Sequence, residues 1–194
     1  MCRSFLSLGT LFLALLIVVP SASADCVSGS ITAAIEDGGP YDGLYKYTVD
    51  LQWDTPQGLS HVTLDCGFGA CPAAACAEGW LFATPAGTAT GDECTVEFDG
   101  VFNCDGDPSI GYTDPIIKWN ALDLNGCEAE KTGSAVLCFY TSVAPVPGVL
   151  PVILVKNGQN VCEGTITGDC PLPCAVPIEA TAWGRIKQMM GSEH

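Results

Sequence analysis

From Tyr45 to Trp53 the chain alternates apolar and polar residues without a break, which predicts a half-buried β-strand with Tyr45, Tyr47, Val49, Leu51 and Trp53 facing inward. A turn, Asp54-Thr55-Pro56-Gln57-Gly58, follows, and alternation resumes from Leu59 to Cys66 with Val62, Leu64 and Cys66 on one face. The pair reads as a hairpin. In the second strand Ser60 and His61 point to opposite faces, while His61 and Asp65 share the polar one, which is expected to face solvent.

Further strands are predicted at 28–35, 80–83, 94–103, 116–119, 135–141, 149–155 and 161–167, separated at short intervals by Gly, Pro, Asp and Asn. Eight or nine short strands with almost no helical periodicity predict an all-β, antiparallel β-sandwich. The stretch 134–155 carries no charge and has the length of a membrane helix. Pro145, Pro147, Gly148 and Pro151 break it, so it reads as two buried strands joined by 144–148. The loop 67–79, with Cys71, Cys76 and five alanines, is expected to be held by disulfides and not by packing.

Both ends depart from the strand pattern. Residues 1–24 have the layout of a signal peptide: Arg3, an apolar run from Phe5 to Val19, then Ala22-Ser23-Ala24 before an expected cleavage at Asp25. That run is shorter than the roughly 20 residues of a membrane anchor. Asp25 occupies the place where lipoprotein processing at Cys26 prefers a small residue. The domain is expected over 25–170, and 171–194 reads as a Pro-rich linker and a short C-terminal helix. In that helix Trp183, Ile186, Met189 and Met190 share a face, with Arg185 and Lys187 off it.

Composition sharpens the class. Without the leader, six basic side chains stand against 22 acidic ones, a formal charge of −16. Such a surface repels phosphate backbones and anionic lipids, which argues against nucleic-acid or membrane-surface binding. At 48% hydrophobic residues the chain can still bury a core. Eleven cysteines remain after Cys2 is removed with the leader, so an exported protein is expected to form about five disulfides and leave one thiol over. Zinc is disfavoured, because no C-x₂-C pair occurs and His61 and His194 are the two histidines.

The chemistry-bearing candidates are few. Ser60, His61 and Asp65 supply the residue types of a hydrolytic triad, but Ser60 and His61 face apart and no G-x-S-x-G motif is present. Glu97 and Asp99 share a strand face opposite Val96 and Phe98, as solvated acids do. The segment from Asn103 to Asp114 spaces oxygen ligands as a calcium loop does: Asn103, Asp105, Asp107 and Asp114 at positions one, three, five and twelve, with Ile110 in the apolar eighth place. Pro108 replaces the glycine of the sharp turn, and Asp114 stands where such loops close on Glu. Calcium is therefore the one cofactor the sequence suggests, set against an ordinary acidic turn. A second acidic turn, Glu36 to Asp42, offers further oxygens.

Taken in order, 45–53, Leu59-Ser60-His61-Val62, Ile116-Ile117-Lys118-Trp119 and Val155-Lys156-Asn157-Gly158 resemble a group of secreted bacterial β-sandwich domains with an "L-S-H" strand. The ending Trp183-Gly184-Arg185-Ile186-Lys187 resembles the W-G-x-[IV]-K tails of some bacterial exported proteins. The resemblance implies a cell-surface or matrix role without catalytic residues, and the tail implies a sorting or docking tag, set against a helix that packs Trp183 and Ile186 on the sandwich; the expected partner is an extracellular protein or glycan. Two functions follow from the sequence: a secreted, non-enzymatic binding or structural module, or a secreted hydrolase or calcium-dependent enzyme that uses the acidic loops.

Overall fold

A computed structural model describes residues 26–174 except 92, 123, 125 and 159. The stretches 1–24 and 181–190, expected to be a signal peptide and a short helix, both lie outside the described residues. The elements in chain order are β1 (Val27–Ile35), β2 (Tyr45–Asp54), β3 (His61–Asp65), a short helix α1 (Pro72–Ala77), β4 (Gly87–Gly91), β5 (Cys94–Asn103), β6 (Ile116–Leu122), β7 (Thr132–Thr141), β8 (Pro145–Val146), β9 (Val152–Asn157), β10 (Asn160–Thr165) and β11 (Cys170–Pro171). None of the described helices is long and apolar enough to cross a membrane.

Nine strands form one continuous antiparallel sheet in the order β1-β2-β7-β4-β5-β6-β3-β9-β10, and β8 pairs with β11. The fold is mostly β and antiparallel, as expected, but the two separate ladders of a sandwich are replaced by a single sheet that rolls until its edges meet. Ile31 N–H donates to Thr167 O (2.8 Å) and Thr167 N–H to Gly29 O (3.2 Å), which joins the β1 edge to the chain leaving β10. Gly164 and Gly168 make this seam possible: a Cβ at Gly164 would lie 2.6 Å from Val27 O, and one at Gly168 would overlap Ile31 O. A rolled sheet leaves few unpaired edge groups, and this stabilises an isolated domain against edge-to-edge association.

The predicted facing of β2 holds in the core: Tyr47, Val49, Leu51 and Trp53 are buried. The predicted hairpin does not form. β2 lies between β1 and β7, whereas β3 lies between β6 and β9 on the far side of the roll. The 54–60 segment crosses between them, and its end groups are taken by distant strands: Thr55 N–H donates to Lys131 O (2.8 Å) and Ser60 N–H to Lys156 O (2.8 Å). The predicted strand at 80–83 is reduced to one bridge, Leu81 with Tyr140. Trp80 and Phe82 serve instead as filling, Trp80 stacking on Phe102 at 4.7 Å and Phe82 covering Gly100.

Five disulfides form: Cys26–Cys162, Cys66–Cys170, Cys71–Cys174, Cys76–Cys104 and Cys94–Cys127. Cys138 is the odd cysteine, half-buried on β7. Two of the bridges tie down the 67–79 loop, as predicted, but packing holds it too. Phe68 and Ala75 are fully buried, and the Trp80 indole donates to Ala75 O (2.7 Å).

Candidate functional site

Strand β3 is central to this half of the sheet, so its two faces meet different surroundings. Val62 and Leu64 point into the core with Ile117, Trp119, Ile153 and Val155. On the other face His61 lies between Asn120 and Lys156, and Thr63 between Lys118 and Leu154. The chain between β5 and β6, residues 104–115, folds back across this polar face. It is closed at its neck by reciprocal backbone bonds between Asp107 and Tyr112 (2.8 and 3.0 Å) and turned by Gly111 at φ 74°.

This loop lands on β3 and its neighbours through four polar contacts. Asp107 Oδ2 lies 2.7 Å from Lys118 Nζ and 3.2 Å from His61 Nε2. Ser109 O accepts from Lys156 Nζ (3.3 Å), and the Tyr112 hydroxyl donates to Asp65. The other Asp107 oxygen accepts from the Ser109 amide (3.0 Å) and hydroxyl (2.7 Å). His61, read from the sequence as an exposed strand histidine, is therefore buried at 7% exposure. Alternation set its face correctly, but a loop distant in sequence covers that face.

The electrostatics follow from burial. Desolvation opposes the Asp107 charge, but the Lys118 ammonium and the two Ser109 hydrogen bonds outweigh it and hold the carboxyl at about 2. His61 is lowered to about 4 by burial first and by the Lys118 and Lys156 cations, against the pull of Asp107. At neutral pH the imidazole is thus uncharged, and the ion pair of the cluster is Lys118 with Asp107.

These shifts carry a pH signature. His61 has a folded pKa below its unfolded value of 6.5, so the unfolded chain takes up the proton first as pH falls. Stability is full above about pH 6.5, declines toward pH 4, and loses up to about 3 kcal/mol to this group. Denaturant midpoints measured from pH 7 to 4 should show this decline. His61→Gln, which cannot titrate, should flatten it, and an unchanged slope in that variant would remove His61 as the cause.

The other sequence candidates are placed apart. Ser60 Oγ donates to Lys156 O (2.9 Å) on the opposite face from His61, and the Asp65 carboxylate accepts from Gly67 N, Phe68 N and Tyr112, so no triad assembles. Glu97 and Asp99 sit outward of buried Val96 and Phe98. Of the four proposed calcium ligands, Asn103 is half-buried at the end of β5, Asp105 and Asp114 are exposed, and Asp107 is turned away to Lys118. The Asp114 carboxylate lies over Gly69, where a Cβ would come within 2.7 Å of it. Among the described residues no group of three or more His, Cys, Asp or Glu side chains is placed to hold a metal ion. Sequence reasoning did not mark Lys118 or Lys156 as site residues, because alternation puts Lys118 on the polar face opposite Ile117 and Trp119, and only the 104–115 loop covers that face.

No family model matches this chain, and no curated protein is significantly similar to it. Among solved structures, the full-length major pilin SpaD from Corynebacterium diphtheriae aligns with 73% of the chain at 11% identity and a TM-score of 0.34. The aligned part spans about a third of the pilin, 34% of its length. At that score the likeness carries no argument for fold or function.

Proposed function

We propose that this chain is a secreted, non-enzymatic module that binds or builds at the bacterial cell surface or in the extracellular matrix. The observation that carries this reading is the fate of the buried titratable side chains on the polar face of β3. His61, Asp107 and Lys118 neutralise and cover one another beneath a loop, where a catalytic group would need an open approach for substrate. Five disulfides on a 149-residue span are consistent with an oxidising compartment. The strongly acidic surface favours solubility and disfavours anionic partners, which leaves a protein or a neutral glycan as the partner class.

Two measurements test the reading. The exported protein, mapped by non-reducing peptide digestion, should begin at Asp25 and carry the five bridges with Cys138 unpaired. Purified, it should show no turnover of chromogenic esters or glycosides above buffer, and turnover abolished by Asp107→Asn would overturn the proposal.

Calcium is tested separately. Millimolar calcium should leave the melting temperature unchanged, because Asp107 is already neutralised by Lys118. A rise with calcium that Asp105→Ala with Asp114→Ala removes would instead place the cation at the loop, since a ligand of the native state stabilises by RT ln(1 + [L]/Kd).

A further inference from the structure

At one end of the rolled sheet an aromatic cluster stops short of closing. Phe68 meets Trp80 and Phe102 edge-on at 5.2 and 5.3 Å, and Trp80 stacks on Phe102. Beside them a recess of about 370 Å³ is lined by Trp80, Phe82, Val101 and Phe102, with Glu78 and the Cys76–Cys104 bridge at its rim. Glu78 is the one charged residue among those that line the recess, and it is acidic.

We propose that this recess is the docking site for residues 181–190 of the same chain. Three observations converge on that occupant. The first is where the tail starts: Cys174 is tied to Cys71, the residue that caps α1, and Cys76 at the other end of that six-residue helix lines the recess. At 1.5 Å per residue the helix separates anchor and recess by roughly 10 Å. The nine residues from Cys174 to Trp183 reach up to about 30 Å, so the span is covered with slack.

The second is chemical fit. Trp183, Ile186, Met189 and Met190 are the large apolar residues of 181–190, and the recess offers aromatic faces, which both indole and thioether groups favour. The third is charge. The span 26–174 holds 19 acidic residues against four lysines, whereas Arg185 and Lys187 make residues 181–190 cationic. Lys118 and Lys156, two of the four lysines, are already engaged with the 104–115 loop. The acidic domain, with Glu78 in the recess lining, therefore attracts a basic tail with little competition from its own cations.

Hydrogen exchange on the full mature protein tests this. Amides of 181–190 should exchange at least tenfold more slowly than in the free peptide of the same sequence, and the rate should be independent of protein concentration. Phe82→Lys, which puts a cation in the recess wall facing the cationic tail, and Trp183→Ala in the tail should each return those amides to the free-peptide rate while the strands stay protected. Free-peptide exchange in the unaltered protein would overturn the proposal. So would protection that survives Phe82→Lys, and so would protection lost on dilution, which would assign the tail to a second copy.

Discussion

Full reduction of this protein should unfold it at room temperature or lower its melting temperature by 20 °C or more. Each bridge contributes about 2–4 kcal/mol, mainly by restricting the unfolded chain, and the five together match or exceed the roughly 5–15 kcal/mol of net stability of an ordinary domain. Three of them close long loops, with sequence separations of 136, 104 and 103 residues, where the entropic effect is largest. Cys26–Cys162 also fastens β1 to β10 beside the glycine seam, so its loss should open the roll at the edge where pairing is sparsest. Far-ultraviolet circular dichroism with and without excess reductant measures the effect. A melting temperature that moves by only a few degrees would show that packing alone sustains the fold.

Asp107→Ala should cost about 3–5 kcal/mol, the usual penalty for removing one partner of a buried ion pair. The substitution leaves the Lys118 ammonium, only 16% exposed, without its counter-ion, and it removes the acceptor of the Ser109 amide and hydroxyl. The 104–115 loop would then be held on β3 by the contacts of Ser109 and Tyr112 alone. Denaturant unfolding of the variant reads the loss directly. Asp107→Ala with Lys118→Met should recover much of it, because no uncompensated charge remains. A single-variant loss under about 1 kcal/mol would mean that water reaches the pair and that the loop is a loose cover.

The strands with period-two alternation were legible in sequence. β5 runs over 94–103 as predicted and β1 starts one residue early, at Val27, because a strand with one buried face repeats its apolar residues every second position whatever it pairs with. β4, Gly87-Thr88-Ala89-Thr90-Gly91, was missed. It has no large apolar residue to mark it, and its place comes from the close approach of Gly87 to β7, where a Cβ would lie 2.5 Å from Val136 O. The candidate site was half legible. Its oxygen-rich loop stood out by composition, but the partners Lys118, His61 and Lys156 lie on three strands that only the sheet order brings together.

What the sequence determined by itself is the local and the additive: which residues alternate, how far acidic side chains outnumber basic ones, and that the eleven cysteines from Cys26 to Cys174 allow five bridges and one thiol. Those properties depend on side-chain type and spacing along the chain. The tertiary structure decided the rest: the single rolled sheet, the crossing of 54–60 where a hairpin was expected, the pairing of the cysteines, and the burial of His61. Each of these depends on which distant segment covers a given face or edge. Many turns with the same residues can either double back or cross over, and the chain settles the choice by burying its apolar faces and pairing its charges across the whole domain.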